Sequence, residues 1–161
     1  MNSTYLHNFA CWAAARSIQN PHLSDTQTEK IRLALEKIDI QQFVSDPELL
    51  KDFSKTHHTL VNKLLKSLKW DEKTRFGVAA KIIAIYFKVT LVIGHNAPKK
   101  IIDKIYPPLD SFNLKVIGLK KLRWTSMGKP AFEEAIVMLD KHCKEMKMSY
   151  VDFEAKNTFT N

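Results

Sequence analysis

Residues 71–93 read DEKTRFGVAAKIIAIYFKVTLVI, and this stretch decides the fold of the chain. After a charged first turn it is hydrophobic nearly all round, which is typical of a helix buried at the centre of a bundle. The segments on either side repeat apolar residues at intervals of three and four, and the chain contains only four Gly. This pattern predicts an all-α protein that forms a single compact multi-helix domain around a buried central helix at about 71–93.

The other helices are predicted from apolar spacing, proline positions and capping residues. Asn20-Pro21 ends the first helix, Asp46-Pro47 begins a short one, and Ser149 is expected to cap the last. No linker is long enough to divide the chain, so we expect one helical domain over 1–156 and a frayed tail at 157–161. The longer predicted helices cover residues 5–18, 25–37, 55–69, 109–119 and 130–146, and a further short helix is predicted at 98–105.

Basic residues are concentrated in the middle of the chain. Residues 55–129 contain 16 Lys and Arg against four acidic residues, whereas both flanks are slightly acidic and the whole chain carries +8. This asymmetry predicts one basic face that attracts a polyanion, and a nucleic-acid backbone carries the densest regular negative charge. We therefore expect a nucleic acid as the partner. The candidate contacts are Lys73, Arg75, Lys88, Lys99, Lys120, Lys121 and Arg123.

Several classes of site and location are disfavoured by the sequence. Cys11, Cys143 and the six histidines show no metal-ligand or redox spacing, so we expect no metal and no cofactor. There is no Gly-rich phosphate loop and no serine nucleophile motif. Lys81 and Lys88 interrupt the longest apolar segment and would be costly in a bilayer, and the first residues lack a signal-peptide pattern. A cytoplasmic protein without membrane association is expected.

Small and basic side chains form a stripe along the predicted central helix. Thr74, Gly77, Lys81, Ala84 and Lys88 follow one another at steps of three and four, and therefore share a face. In one interpretation the lysines lay their stems over apolar neighbours and hold their ammonium groups in water. In the other, a ligand approaches between the small residues and meets a partly desolvated amine, whose lowered pKa would let it attack an electrophilic carbon.

A second motif, Tyr106-Pro107-Pro108-Leu109-Asp110, places a carboxylate at the start of the next helix. Asp and Pro are both favoured at helix starts, so helix punctuation alone also explains the motif. If the two helices face one another, Lys81 and Asp110 would pair an amine nucleophile with a carboxylate base. These two residues are therefore the candidate catalytic residues.

Together the two motifs resemble those of the helix-hairpin-helix DNA glycosylases, in particular the 8-oxoguanine branch with a lysine nucleophile. In that family a Gly-Val-Gly-x-Lys segment opens one helix and a Pro-Val-Asp segment opens the next. This chain has Gly77-Val78-Ala79-Ala80-Lys81 and Pro108-Leu109-Asp110. The resemblance covers residues 75–117 and implies a glycosylase-like fold, with Lys81 as Schiff-base nucleophile and Asp110 as the assisting carboxylate. Residues 10–16 and 79–88 also resemble segments of small bacterial proteins of unknown function.

The glycosylase resemblance implies a base-excision protein that binds DNA rather than RNA and receives an extruded base. Some side chains are candidates for stacking on that base or lining its pocket, although large aromatic residues more often belong to the core. One alternative is a non-catalytic nucleic-acid-binding module, and another is a helical protein-interaction module whose basic face meets an acidic partner. The candidate pocket residues are Trp12, Arg16, Tyr86 and Phe112, with Trp70 and Trp124 as further aromatic candidates.

Overall fold

The computed structural model describes residues 3–18 and 25–158, and this part of the chain is helical and contains no β-strand. The prediction of an all-α protein is therefore confirmed. The α-helices are α1 (Ser3–Arg16), α2 (Asp25–Lys37), α3 (Gln42–Ser45), α4 (Phe53–Leu68), α5 (Glu72–Phe87), α6 (Lys99–Ile102), α7 (Ser111–Val116), α8 (Lys129–Glu145) and α9 (Tyr150–Thr158). Two 3-10 helices, Pro47–Leu50 and Trp124–Ser126, and a π-helix, Lys88–Ile93, complete the described elements.

The helix α5 and the π-helix that continues it form the buried centre predicted at 71–93. Asp71 begins α5, because its side chain accepts a hydrogen bond from the backbone N–H of Lys73. Beyond this capped first turn most side chains are buried, as expected for a helix with apolar residues on every face. The combined helix Glu72–Ile93 is long and apolar enough to cross a membrane, but 72% of its apolar window is buried inside the protein. Its apolar surface is thus covered by the protein's own helices.

Several predicted helix boundaries agree closely with the structure. α2 covers the predicted residues 25–37, and α8 has its proline in the first turn. Ser149 caps α9 as predicted, because its hydroxyl accepts the backbone N–H of Asp152 while its own N–H donates to the Asp152 carboxylate. This reciprocal bonding satisfies two backbone donors that a helix end would otherwise leave unpaired.

Other boundaries differ from the predictions. α7 ends at Val116 rather than near 119, because the chain turns at Gly118, whose φ of 87° lies in the left-handed region. The predicted tail at 157–161 also begins later, since α9 includes Asn157 and Thr158. Residues 159–161 lie outside the described part of the chain.

One loop approaches the backbone of α5 closely. The N–H of Gly77 donates to the carbonyl of Met127 over 2.9 Å. A Cβ at Gly77 would lie 2.7 Å from the carbonyl oxygen of Trp124, and one at Gly128 would lie 2.5 Å from that of Lys73. Both positions therefore require glycine for close backbone approach. The contact places the 3-10 helix Trp124–Ser126 directly against α5.

A cluster of aromatic rings fills the space between α4 and α8. His57 is fully buried in it, stacked on Phe132 with ring centroids 5.6 Å apart and with Phe53 and Tyr106 at its edges. Burial lowers the pKa of His57 to about 3, and neighbouring His58 adds to this shift. The imidazole is therefore neutral at physiological pH and serves as a core ring.

Candidate catalytic and nucleic-acid-binding site

Lys81 lies on the side of α5 that faces the 3-10 helix Trp124–Ser126. Its Nζ is 4.1 Å from the centroid of the Trp124 ring, a distance suited to a cation–π interaction. The side chain is neither fully buried nor free in solvent. Because Gly77, one turn earlier, lets the loop come close, the backbone itself sets the position of the indole over the amine.

Asp110 is held at the start of α7. Its carboxylate accepts the backbone N–H of Asn113 over 2.9 Å, and the Asn113 amide in turn donates to the carbonyl of Pro108 over 2.7 Å. Asn113 is buried, so this capping network is fixed by packing as well as by hydrogen bonds. The motif 106–110 therefore begins and caps α7, and it also fixes the position of the Asp110 carboxylate.

The two candidate catalytic residues are brought near one another. Burial lowers the pKa of the Lys81 amine, and the Asp110 carboxylate acts in the opposite direction with a smaller effect. Among the described contacts, no hydrogen bond or ion pair joins the two side chains. The amine therefore has a carboxylate within electrostatic range, yet its nitrogen is not bonded to it.

Lys88, two turns along the same face, has a different environment. It forms an ion pair with Glu154 of α9, and the side chains of the pair are only 20% and 10% exposed. Burial raises the pKa of Glu154, whereas Lys88 lowers it and Asp110 raises it further. Asp110 thus lies within electrostatic range of Lys81 and Glu154. Lys88 thus differs from the exposed candidate phosphate contacts, because its ammonium is paired with a carboxylate of the protein itself.

The remaining candidate nucleic-acid contacts fall into two groups. Lys99 is exposed but forms an ion pair with Asp103, one turn along the chain, over 2.9 Å. The others are exposed at the start of α5 or in the loop before the 3-10 helix Trp124–Ser126. These exposed cations are Lys73, Arg75, Lys120, Lys121 and Arg123. The loop that carries the last three also carries Trp124 and continues onto the face of α5 that holds Lys81.

The segment Gly77–Lys81 lies inside α5, as the predicted helix at 71–93 requires, whereas the corresponding segment of the glycosylase family opens a helix. α5 begins at Glu72, so Gly77 lies within the helix and Lys81 in its third turn. The N–H of Gly77 is bonded to Met127 and is buried, and it is not presented to a phosphate. Docking on DNA would therefore depend on side-chain cations rather than on backbone N–H groups of a hairpin.

The four candidate pocket residues do not share one site. Tyr86 is fully buried and its hydroxyl is bonded to His7 over 2.8 Å, so its ring belongs to the core and cannot stack on a base. Trp12 is 51% exposed on α1, with the guanidinium carbon of Arg16 5.8 Å from its ring centroid. Phe112 is 40% exposed on α7, two residues after Asp110. Phe112 is the pocket candidate nearest in the chain to the candidate catalytic pair.

Glu154 was not assigned to the site from the sequence, and Trp124 was predicted only as a candidate for stacking on a base. Trp124 covers the Lys81 amine, and Glu154 neutralises Lys88 from a helix 66 residues away. The position of Trp124 between the basic loop and the pair Met127-Gly128 was an available signal, because a glycine there lets the loop approach a helix. No local pattern identifies Glu154.

Among residues 3–18 and 25–158, no group of three or more His, Cys, Asp and Glu side chains is placed to hold a metal ion. Comparison of the chain with protein-family models, with curated proteins and with solved structures found no match.

Proposed function

We propose that this protein binds DNA and excises a base, with Lys81 as the nucleophile and Asp110 as the assisting carboxylate. The observation that supports this most is the Lys81 amine itself, whose pKa is lowered by burial beside a carboxylate that does not bond to it. A lysine with a lowered pKa has a larger neutral fraction near pH 7, and only the neutral amine is nucleophilic.

The chemistry would proceed in three steps. The neutral amine attacks C1′ of the extruded nucleotide, the bond from C1′ to the base breaks, and the proton lost by the amine passes through Asp110 to the departing base. Cleavage of the bond from C1′ to the ring oxygen then gives a protonated Schiff base, and that oxygen takes a proton from solvent. Hydrolysis of the Schiff base by water restores the amine.

The basic loop beside the site supports DNA as the substrate. Lys120, Lys121 and Arg123 are exposed and directly precede Trp124, whose ring lies over the Lys81 amine. Phosphates held by this loop would bring a strand to the face of α5 that carries the amine. The Trp124 ring must then move from the amine for the sugar to reach it, and the exposed π-face of the moved ring offers a surface for stacking on a base.

The test is to trap the Schiff base with borohydride on duplex DNA that carries single damaged bases such as 8-oxoguanine. We expect a covalent complex with the unchanged chain, none with Lys81→Arg, and roughly a 100-fold loss with Asp110→Asn, the scale of one acid–base group. Lys81→Arg keeps the charge and the length but cannot form a Schiff base. Lys141→Ala, an exposed lysine on α8, is the matched control and should trap normally.

The competing function is a nucleic-acid-binding module without catalysis, and one observation favours it. The Trp124 ring lies over the amine, and in this alternative the cation–π contact serves only to hold the Trp124 loop against α5. In that case no complex would be trapped, while DNA binding would weaken steeply with salt and further on charge reversal of Lys120, Lys121 and Arg123. Absence of both trapping and DNA binding would overturn both functions.

A further inference from the structure

A cavity of about 520 Å³ opens on the side of the central helix away from Lys81. Its walls come from α1, from the segment around α3, and from the π-helix Lys88–Ile93 with the turn that follows it. Lys81 and Tyr86, which lies at the cavity floor, are five residues apart and so point about 140° apart around α5. This cavity is therefore separate from the candidate catalytic site.

The floor of the cavity is a rigid, hydrogen-bonded network. The hydroxyl of Tyr86 is 2.8 Å from Nδ1 of His7, and Nε2 of His7 lies 3.7 Å from a carboxylate oxygen of Glu36. A proton on Nε2 faces this carboxylate favourably, so Nδ1 accepts the hydrogen bond and the tyrosine donates it. Thr90 completes the floor by donating from its hydroxyl to the Tyr86 carbonyl over 2.9 Å.

The mouth of the cavity is shaped by the π-helix. The N–H of Gly94 bonds to the carbonyl of Val89 over 3.1 Å, and the N–H of Asn96 bonds to that of Leu91 over 3.2 Å, both five residues back. The Asn96 amide also donates to the Thr90 carbonyl over 2.8 Å, which leaves its oxygen as an acceptor. π-helical turns are rare and are found frequently at functional sites, because they displace side chains from the regular helix.

The lining defines the chemistry of a suitable ligand. Among the described residues that line the cavity, none is Lys, Arg, Asp or Glu. Its two histidines are His7, where burial lowers the pKa and keeps the ring neutral, and His95, which is exposed at the rim. A charged ligand would therefore gain no ion pair inside. The open part combines apolar walls with amide and hydroxyl groups, namely Leu6, Val44 and Ile93 with Gln41, Ser45 and Asn96.

We propose that this cavity binds a free, uncharged nitrogen heterocycle of nucleoside size. The apolar walls would hold the flat faces of the ring, and the amides of Gln41 and Asn96 each supply a donor or an acceptor for its edge. Adjacent donors and acceptors on an uncharged ring are the pattern of nucleobases and their nucleosides. The volume is within the range of small-molecule sites and exceeds what a single base needs.

The test measures binding of adenosine, guanosine, cytidine and uridine by isothermal titration and by NMR of the side-chain amide groups. We expect at least one nucleoside to bind and to shift the amide signals of Gln41 and Asn96. The matching 5′-monophosphate should bind no more tightly, because no Lys or Arg is among the described residues that line the cavity. Failure of all four nucleosides at millimolar concentration, or a monophosphate that binds at least tenfold more tightly, would overturn the proposal.

Two variants locate the site without disturbing the core. Ser45→Phe, at an exposed position of α3, should fill the cavity and abolish binding, and Gln41→Ala should weaken it roughly fivefold to tenfold, the effect of one hydrogen bond. Unchanged affinity in Ser45→Phe would overturn the site. Lys81→Arg should bind the nucleoside normally, so failure of the catalytic proposal leaves this one intact.

A competition experiment distinguishes binding of a free nucleoside from binding of a base that belongs to a DNA strand. A single-stranded oligonucleotide is added to the preformed nucleoside complex. We expect the nucleoside to stay bound, because the cavity offers no cation for the flanking phosphates. Displacement would overturn the assignment to a free compound.

Discussion

Lys81 and Lys88 on one side of the central helix can be compared with His7 and Tyr86 on the other. The lysine side contains ionisable groups from three elements, and the direct bond described among them joins Lys88 to Glu154. The histidine side contains buried, uncharged groups joined by hydrogen bonds. A network that satisfies its own polar atoms stabilises the fold, whereas an amine kept near a carboxylate without bonding remains available for a substrate.

The largest change in the free energy of unfolding is expected at the buried ion pair between Lys88 and Glu154. Glu154→Gln removes the carboxylate that is paired with the largely buried Lys88 ammonium and should lower the free energy of unfolding by about 3 kcal/mol or more, measured by urea denaturation. The double variant Lys88→Met with Glu154→Leu should recover most of this loss, since it removes both charges and retains similar volume. A double variant as unstable as the single one would show that the loss arises from packing alone.

Lowering the pH should destabilise the folded protein through the buried imidazole of His57. The folded-state pKa of His57 is about 3 against 6.5 when unfolded, so the unfolded chain binds more protons as pH falls below about 6.5. Stability is therefore lost from about pH 6.5 downward, and the loss amounts to about 2–3 kcal/mol at pH 4.5, at 1.36 kcal/mol per pH unit. His57→Leu should remove this loss.

The check is the difference in unfolding free energy between pH 7.5 and pH 4.5, measured for the unchanged chain and for His57→Leu. The ring nitrogens of His57 make no hydrogen bond of ordinary geometry among the described residues, and the Ala80 carbonyl only weakly opposes the shift. An equal pH dependence in the two proteins would place the acid sensitivity elsewhere.

On the lysine side, Gly77→Ala tests how firmly the Trp124 loop is held. Alanine normally stabilises a helix interior by about 1 kcal/mol relative to glycine. Here its Cβ would lie 2.7 Å from the Trp124 carbonyl and 2.8 Å from Cβ of Met127, so we expect a net destabilisation of about 1–3 kcal/mol. Tryptophan fluorescence should report a displaced ring, and a variant more stable than the unchanged chain would contradict the close approach.

The smallest effect is expected on the histidine side. Tyr86→Phe removes the hydroxyl that donates to His7 and should lower the free energy of unfolding by about 1–2 kcal/mol, because Nδ1 loses its partner in a buried site. The His7 signal in an NMR titration should move with it. No change in stability or in the imidazole signal would show that the hydrogen bond is not formed in solution.

The helices were predictable from the sequence because their signals are local. The apolar stretch 71–93 specifies a buried helix, and Ser149 specifies the start of α9 through its own neighbours. The approach of Lys81 to Asp110 could also be anticipated, since a stripe of small residues and a proline-fixed helix start each restrict where a side chain lies. Catalysis and DNA binding stay predictions that the proposed experiments address.

Other features had no local signal. The change from α- to π-helix after Phe87 occurs in a run that is apolar in either geometry, so periodicity does not distinguish the two. The partnership of Lys88 with Glu154 joins residues far apart in sequence and depends on how α9 docks.

The π-helix also makes the chain sensitive to length at one place. Its hydrogen bonds join residues five apart, whereas those of an α-helix join residues four apart. Each turn of this segment therefore holds about one residue more than a turn of α-helix. Deleting one residue between 88 and 93 would allow regular α-helical bonding and would leave the residues downstream in nearly their present orientation, because a π-turn takes up about one residue more than an α-turn. The side chains within the segment would change places around the axis, and a homologue with a shorter segment would lose the widened mouth of the cavity.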